Sequence, residues 1–334
     1  MPGVRKIGIF GDGRIARAVA FFFNRRAGCK AELLNQDTQA RGCDLLVGAL
    51  AGDLGEKCLT LALRYKKNLV DISDVDPPYY LQYKKQIAQS GITVIPGCGF
   101  SPGLTNFILG MEFPALQKGP SLTVKAGSLS KKKAYYPFLW CFEDLILEHH
   151  LPSWQIVAGK KKKFPPFAGY QKESFFGIDA ESYYCASGFE NILDKVCVKD
   201  FSCRVVRPTG FMPFFCFLKN YGFFEKKNML FAKSALEAKK EDNITLGEIS
   251  ITTRSQTIVW LIKASAKKNE QFNSMQKITA SVPVVVGSLL LDGELGGRGL
   301  MFMEDVGRQQ CWKRVLFSGI KRFGVTVTRF GARG

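Results

Sequence analysis

The sequence predicts an α/β fold: a doubly wound parallel sheet, shortened by one α/β unit, with a second α+β domain. Three observations predict it. Lys6–Arg26 (KIGIFGDGRIARAVAFFFNRR) reads as a buried strand, a glycine turn and an apolar helix. Strands and helices then alternate as far as Ile95. From about Phe113 the pattern changes to an α+β one, opening with the strand Ser121–Ser128 (SLTVKAGS).

Taken in order, Ile7–Phe10 is the first strand and Gly11-Asp12-Gly13 the turn after it. Gly11, Gly13 and Ala16 fit the G-x-G-x-x-G/A fingerprint of a Rossmann-type dinucleotide site. The first glycine permits the sharp turn, and the second lets backbone approach a pyrophosphate. The third small residue lets helix pack closely on strand. The helix N-terminus turns free N–H groups and a positive dipole end toward the phosphates. Gly11, Gly13, Arg14, Ile15 and Ala16 are therefore candidate cofactor residues, for NAD or NADP. An ordinary strand–turn–helix corner is the plain alternative.

Lys30–Asn35 is the second strand. Asp37 lies about 20 residues beyond Ala16, where an acid commonly binds the adenosine ribose. Asn35 and Gln36 compete for that role, and Arg41 would equally suit a 2′-phosphate, so NAD and NADP both stay open. Asp44–Leu50 is a buried strand, Gly55–Lys67 a helix, Asn68–Ser73 a strand, Pro77–Ser90 a helix and Ile92–Ile95 a strand. Ligands of such sheets bind outside the carboxyl ends of the strands. That points to Gly11–Arg14, Ala49–Gly52, Asp71–Asp74 and Pro96–Ser101, and adds Ala49, Leu50 and Ser73 to the cofactor set.

In the second domain, Leu246–Thr253 and Thr257–Lys263 read as antiparallel neighbours joined by a short turn. Ile278–Leu291 is an apolar helix expected to return to the first domain. The expected division is thus 1–112 plus 275–334 for the nucleotide domain, and 113–274 for the second.

At 334 residues, 46% hydrophobic and 23% charged, the chain has the composition of a globular protein of two domains. The net charge of +18 sits in separate clusters: Lys131–Lys133, Lys160–Lys163, Lys226–Lys227, Lys239–Lys240 and Lys267–Lys268. These read as loop and solvated-face lysines, with no nucleic-acid module around them. No specific nucleic-acid partner is expected. An electropositive cleft for an anionic cofactor and a carboxylate substrate would use the same charge. Ten cysteines contain no C-x-x-C pair and read as reduced, mostly buried thiols. The two histidines, His149 and His150, are adjacent, so no metal site is expected. No apolar run approaches the ~18–20 residues of a bilayer span. The first strand begins almost at once, leaving no room for a signal peptide. A cytoplasmic protein without a membrane partner is expected.

Two stretches then become specific. Leu69-Val-Asp-Ile-Ser-Asp74 is followed by Gly91-Ile-Thr-Val-Ile-Pro-Gly-Cys-Gly-Phe-Ser-Pro-Gly-Leu-Thr-Asn106. Together they resemble the saccharopine dehydrogenase-like family, with its "vDlS" strand end and its "v-i-P-x-x-G-f-D-P-G-l-x-N/H" turn into a helix. Tyr136–Ile146, Arg204-Val-Val-Arg-Pro-Thr-Gly-Phe211 and Thr279–Gly299 resemble its later motifs in the same order. The resemblance covers nearly the whole chain. The sequence departs from it where the usual Asp of D-P-G is Ser101, and where P-G-H is Thr209-Gly210-Phe211. Between Asn35 and Asp44 there is too little chain for the usual helix and strand, so one α/β unit on the adenine side is expected to be missing. That bears on cofactor affinity more than on fold.

The resemblance implies hydride transfer between a nicotinamide and the carbon of an amine or imine, in an amino acid or polyamine conjugate. It also implies a substrate-binding second domain that pairs subunits as a homodimer. Arg207 stands where the family has its Arg, and a guanidinium fork suits a substrate carboxylate; an interdomain salt bridge is the alternative. Phe100, Ser101 and Asn106 are the other candidate substrate residues. Cys98, Asp71 and Asp74 are the candidate catalytic ones: a thiol of shifted pKa, and two acids able to orient an ammonium. Packing for Cys98 and helix capping for the acids are the plain readings. Glu143 and the His149–His150 pair are further candidates, or else a solvated helix face.

Overall fold

The structure is a computed structural model and describes residues 4–130, 132, 141–185, 188–236 and 241–333. Lys131, Lys133, Lys239, Lys240 and the 136–140 part of the expected motif lie outside the described residues.

The chain begins with β1 (Arg5–Phe10), α1 (Arg14–Asn24) and β2 (Cys29–Leu34). After one 3-10 turn (Asp37–Gly42) come β3 (Leu45–Gly48), α2 (Glu56–Tyr65) and β4 (Asn68–Asp71). The expected 77–90 helix is two pieces, α3 (Pro77–Gln82) and α4 (Lys84–Ser90), followed by β5 (Thr93–Ile95), α5 (Leu104–Met111) and α6 (Phe113–Leu116). Next are β6 (Ser121–Ser130), α7 (Phe142–Glu148), β7 (Ser153–Val157), β8 (Lys160–Phe164), β9 (Gln171–Phe175) and β10 (Ile178–Tyr184). Then follow α8 (Glu190–Leu193), β11 (Asp200–Pro208), α9 (Phe211–Asn220), α10 (Met229–Leu236), β12 (Asn243–Thr252) and β13 (Gln256–Ala266). The chain closes with α11 (Ser274–Leu291), β14 (Gly299–Leu300), α12 (Met303–Arg308), α13 (Cys311–Lys321) and β15 (Val325–Arg333).

Two compact units form: Met1–Pro114 with Ser187–Val196 and Gln276–Gly324, and Ala115–Ala186 with Cys197–Met275 and Val325–Gly334. The expected boundaries change in two places. The α8 segment returns to the first unit, and β15 leaves it to pair antiparallel with β13.

The first unit is a parallel sheet in the order β14-β5-β4-β3-β1-β2. The central strand β3 is wholly buried along Leu45–Gly48, as a parallel strand covered on both faces requires. β2 stands at the edge, with only the 3-10 turn between it and β3, as expected for a sheet lacking one α/β unit. The order reverses between β1 and β3, which places the switch point of the sheet at Gly11 and Ala49.

The helix α11 is the exception to the expectation that no apolar run is long enough to span a bilayer. It has 18 residues of mean hydropathy 1.3, with 67% buried inside the protein. From Gln276 on it packs against the sheet: a side chain at Gly287 would meet Leu45 at 2.8 Å and Phe23 at 2.9 Å.

The second unit is a mixed sheet in the order β15-β13-β12-β6-β11-β10-β9, with β7 and β8 as a hairpin reached through β11. The Lys160–Lys163 run is a strand rather than a loop. Its four lysines are exposed, and Lys161 Nζ sits 3.9 Å above the Trp154 ring. Charged side chains on an edge strand discourage pairing with other chains. Of the ten cysteines, all free, four are buried, four half-buried and two exposed, so burial is less general than expected.

Candidate active site

The turn after β1 is shaped by its glycines. Gly11 has φ +109°, and a Cβ there would lie 2.4 Å from the Ala49 carbonyl oxygen, so the ends of β1 and β3 close together only over glycine. Gly13 is different: a Cβ there meets nothing within 4 Å, so its outer side is open. It precedes α1 without a side-chain cap and with no acid in the first turn, leaving N–H groups at the helix head for a ligand. Arg17 Nε donates to the Asp12 carbonyl at 2.7 Å and keeps a cation on the loop. Gln276 Nε2 donates to the Arg14 carbonyl at 2.9 Å, fastening the first turn of α1 to α11. Ala16 is buried, as close helix–strand packing requires. These residues fit the pyrophosphate of a dinucleotide.

The rest of the expected cofactor set is more mixed. Ser73 is a clip: its Oγ accepts the Leu50 N–H at 3.1 Å, and its own N–H donates to Asp71 at 2.8 Å. Asp37 is half-exposed and paired with Lys57 at 2.6 Å, so its carboxylate would have to leave a cation to bind a ribose. Gln39 accepts both the Asn35 and Gln36 N–H groups, closing the end of β2.

A small, open crevice lies at the carboxyl ends of β4 and β5. Ser73–Pro77, Pro96–Gly97, Pro102, Asn106, Gly188 and Phe302–Glu304 line it. Its ionisable side chains are Asp74, Asp76 and Glu304, with no lysine or arginine among them. The electropositive cleft expected from the net charge is therefore not found here.

Glu304 carried no sequence signal. It is 2% exposed; Oε1 accepts from Asn191 at 2.5 Å and Oε2 from Asn106 at 3.4 Å. Burial pushes its carboxyl above the usual range, against the pull of Asn191. Two glycines bring α12 this close to α5. A Cβ at Gly110 would lie 2.1 Å from the Glu304 carbonyl oxygen, and one at Gly307 2.0 Å from that of Phe107. Asn106 also accepts from Gly103 N–H and donates to Gly188 O, so its orientation is set.

Two candidate catalytic residues are withdrawn from the crevice. Asp71 is wholly buried, where it accepts from Ser73 N–H at 2.8 Å and Tyr80 OH at 2.9 Å; burial pushes its carboxyl up. Gly48 must be glycine because a Cβ would come within 2.3 Å of Asp71 Oδ1. Cys98 is also wholly buried, 3.5 Å from Met303 Sδ, and burial raises its thiol well above the usual range. Neither exchanges protons with a ligand from these positions. Phe100 is core, and the Ser101 hydroxyl accepts from Thr105 at 3.3 Å. Asp74 and Asn106 remain at the crevice.

In the second unit, Arg207 is 4% exposed and paired with Glu148 at 3.0 Å. The guanidinium expected to hold a substrate carboxylate is already engaged by this one. The Thr209-Gly210-Phe211 turn is held by buried Glu181, which accepts from Gly210 N–H at 2.7 Å and Met212 N–H at 2.5 Å. His149 is neither on a solvated face nor a free base. It is buried among Phe167, Tyr183, Phe211 and Phe215, with Nδ1 donating to the Leu145 carbonyl and Nε2 accepting from Tyr183, each at 2.7 Å. Glu143 is paired with Lys233 at 2.9 Å. Among the described residues no group of three or more His, Cys, Asp or Glu is placed to hold a metal ion.

The sheet order, switch point and glycine turn define a Rossmann-type dinucleotide-binding fold with an appended mixed-sheet unit. Within that class the chain is saccharopine dehydrogenase-like in fold. Apo saccharopine dehydrogenase (L-Glu forming) from Saccharomyces cerevisiae matches it with a TM-score of 0.77 and 13% identity, over 98% of this chain and 100% of that one. An engineered D-amino acid dehydrogenase bound to NADP+ (TM-score 0.48, 13% identity) and C. glutamicum DAP dehydrogenase in complex with DAP (0.47, 12%) match more loosely, each over 90% of this chain and 93% of its own. No protein-family model and no curated protein matches the sequence.

Proposed function

We propose that the protein is an NAD(P)-dependent oxidoreductase acting on a C–N bond of an amino acid or polyamine conjugate. One observation carries the reading. The open glycine turn at the head of α1 shares the carboxyl-end rim of one parallel sheet with a crevice whose ionisable side chains are all acids. Gly11 and Gly13 offer backbone to the phosphates, Arg14 and Arg17 add positive charge, and Ala49 and Leu50 flank them. The nicotinamide, when bound, exchanges a hydride with the substrate carbon. Asp74 and Asp76 attract a substrate ammonium, which suits an amine better than a lone carboxylate. Glu304, held by Asn106 and Asn191, is a carboxyl that can keep a proton beside the crevice. The saccharopine dehydrogenase of like fold supports an amino-acid-derived substrate. A homodimer and a cytoplasmic location belong to the same proposal.

A second reading is a nucleotide-binding protein without turnover. Two observations favour it: Ser101 replaces the family acid, and Arg207 is occupied by Glu148. The test is a thermal-shift titration with NAD, NADH, NADP and NADPH, where a ligand at ~100 times its Kd adds about 2.7 kcal/mol. Turnover of lysine, saccharopine and polyamine conjugates is then followed at the nicotinamide absorbance. A shift with turnover supports the enzyme, a shift without it supports the second reading, and no shift with any nucleotide rejects both.

A further inference from the structure

Two helices of the second unit turn an apolar face to solvent. On α9, Phe215 and Leu218 face the core, while Phe214, Phe217 and Tyr221 recur on the outer side and are 44%, 57% and 69% exposed. Phe217 and Tyr221 are 4.5 Å apart, ring to ring. At the start of α10, Leu230 and Phe231 are 84% and 66% exposed, and the Phe231 ring is 6.3 Å from Phe223 in the connecting turn. A single exposed aromatic needs no explanation, but five large apolar side chains on one helix–turn–helix do.

The charge around them selects the occupant. From Phe211 to Leu236 there are four lysines, at 219, 226, 227 and 233, and one acid, Glu225. Lys227 pairs with Glu225 and Lys233 with Glu143, while exposed Lys219 and Lys226 stand in no ion pair among the described residues. Apolar and aromatic tips rimmed by lysines match the interface of an anionic bilayer. There the rings lie at headgroup depth, and the lysine stems reach outward to phosphate. A second copy fits poorly, because a two-fold contact would bring two sets of these lysines into one interface with few acids to offset them.

We propose that the α9–α10 face docks reversibly on an anionic phospholipid surface. The expectation of no membrane partner rested on the lack of a spanning run, and a peripheral contact needs none. The long apolar helix α11 takes no part, being an interior helix. This docking is independent of the proposed chemistry.

The test is co-sedimentation of the full chain with phosphatidylcholine vesicles, with and without phosphatidylserine, at low salt and at about 0.5 M salt. Binding should favour the phosphatidylserine vesicles by about tenfold or more and fall in high salt. A Phe217→Ser/Phe231→Ser protein should keep its circular dichroism and lose sedimentation. Lys219→Glu/Lys226→Glu should lose the preference for anionic lipid. Tyr221→Trp emission should shift to the blue on vesicles. Failure of the folded wild type to sediment overturns the proposal. So does sedimentation unchanged by Phe217→Ser/Phe231→Ser. Light scattering showing that this variant splits a wild-type dimer also overturns it, and assigns the face to a second copy.

Discussion

The guanidinium of Arg207 lies 3.0 Å from Glu148, and the other oxygen of that carboxylate accepts from Cys185 at 2.9 Å. The pair joins the last turn of α7 to β11 in the interior of the second unit. Arg207→Ala leaves a largely buried carboxylate without its cation and should cost about 3–5 kcal/mol in urea unfolding. Arg207→Leu with Glu148→Leu should recover most of that loss. A single variant as stable as wild type, with only a raised KM, would instead return Arg207 to the substrate.

The two fingerprint glycines should behave oppositely. Gly13→Asp puts a negative side chain into open space at the helix head. It should abolish the nucleotide-induced thermal shift while moving the unliganded Tm little. Gly11→Ala combines φ +109° with a 2.4 Å contact and should lower the Tm itself.

His149 makes stability fall in acid. Burial lowers its pKa from 6.5 to about 4, so the folded state takes up its proton later than the unfolded chain. The stability it contributes is present above about pH 6.5 and is lost as pH falls toward 4, a change on the order of 3 kcal/mol. Denaturant midpoints across that window should show the loss, and His149→Gln should flatten it.

Glu304 has the opposite sign. Its carboxyl is raised by burial, so its stabilising neutral form is present at low pH and lost as pH rises through the folded pKa. Glu304→Gln should keep the Asn191 contact and remove that decline with rising pH. Under the proposed chemistry it should also cut kcat about a hundredfold or more with little change in nucleotide affinity. Unchanged turnover would leave Glu304 with packing alone.

Much of the first unit could be read in advance because its signals are local. Gly11-Asp12-Gly13, the wholly apolar Leu45–Gly48 and the short 35–44 link each needed only neighbouring residues. β14 could not be read: it is two residues long and is held by its ladder to β5. The lysine run of β8 lacks the alternation that marks a strand, and β13 drew Val325–Arg333 into the second unit.

The candidate site divides in the same way. Strand order placed Gly13 and Asp74 on the rim of the sheet, because the carboxyl ends of parallel strands follow from it, while Asn106 came only from the family resemblance. The sequence by itself therefore determined the fold class, the glycine turn after β1 and the missing unit. Only the tertiary structure decided which polar groups still face a ligand. Asp71 is consumed by Tyr80, Arg207 by Glu148 and Ser73 by Leu50, while Glu304 reaches Asn106 from 198 residues away. A buried polar group must find partners wherever the fold brings them, and those partners are set by packing rather than by distance along the chain.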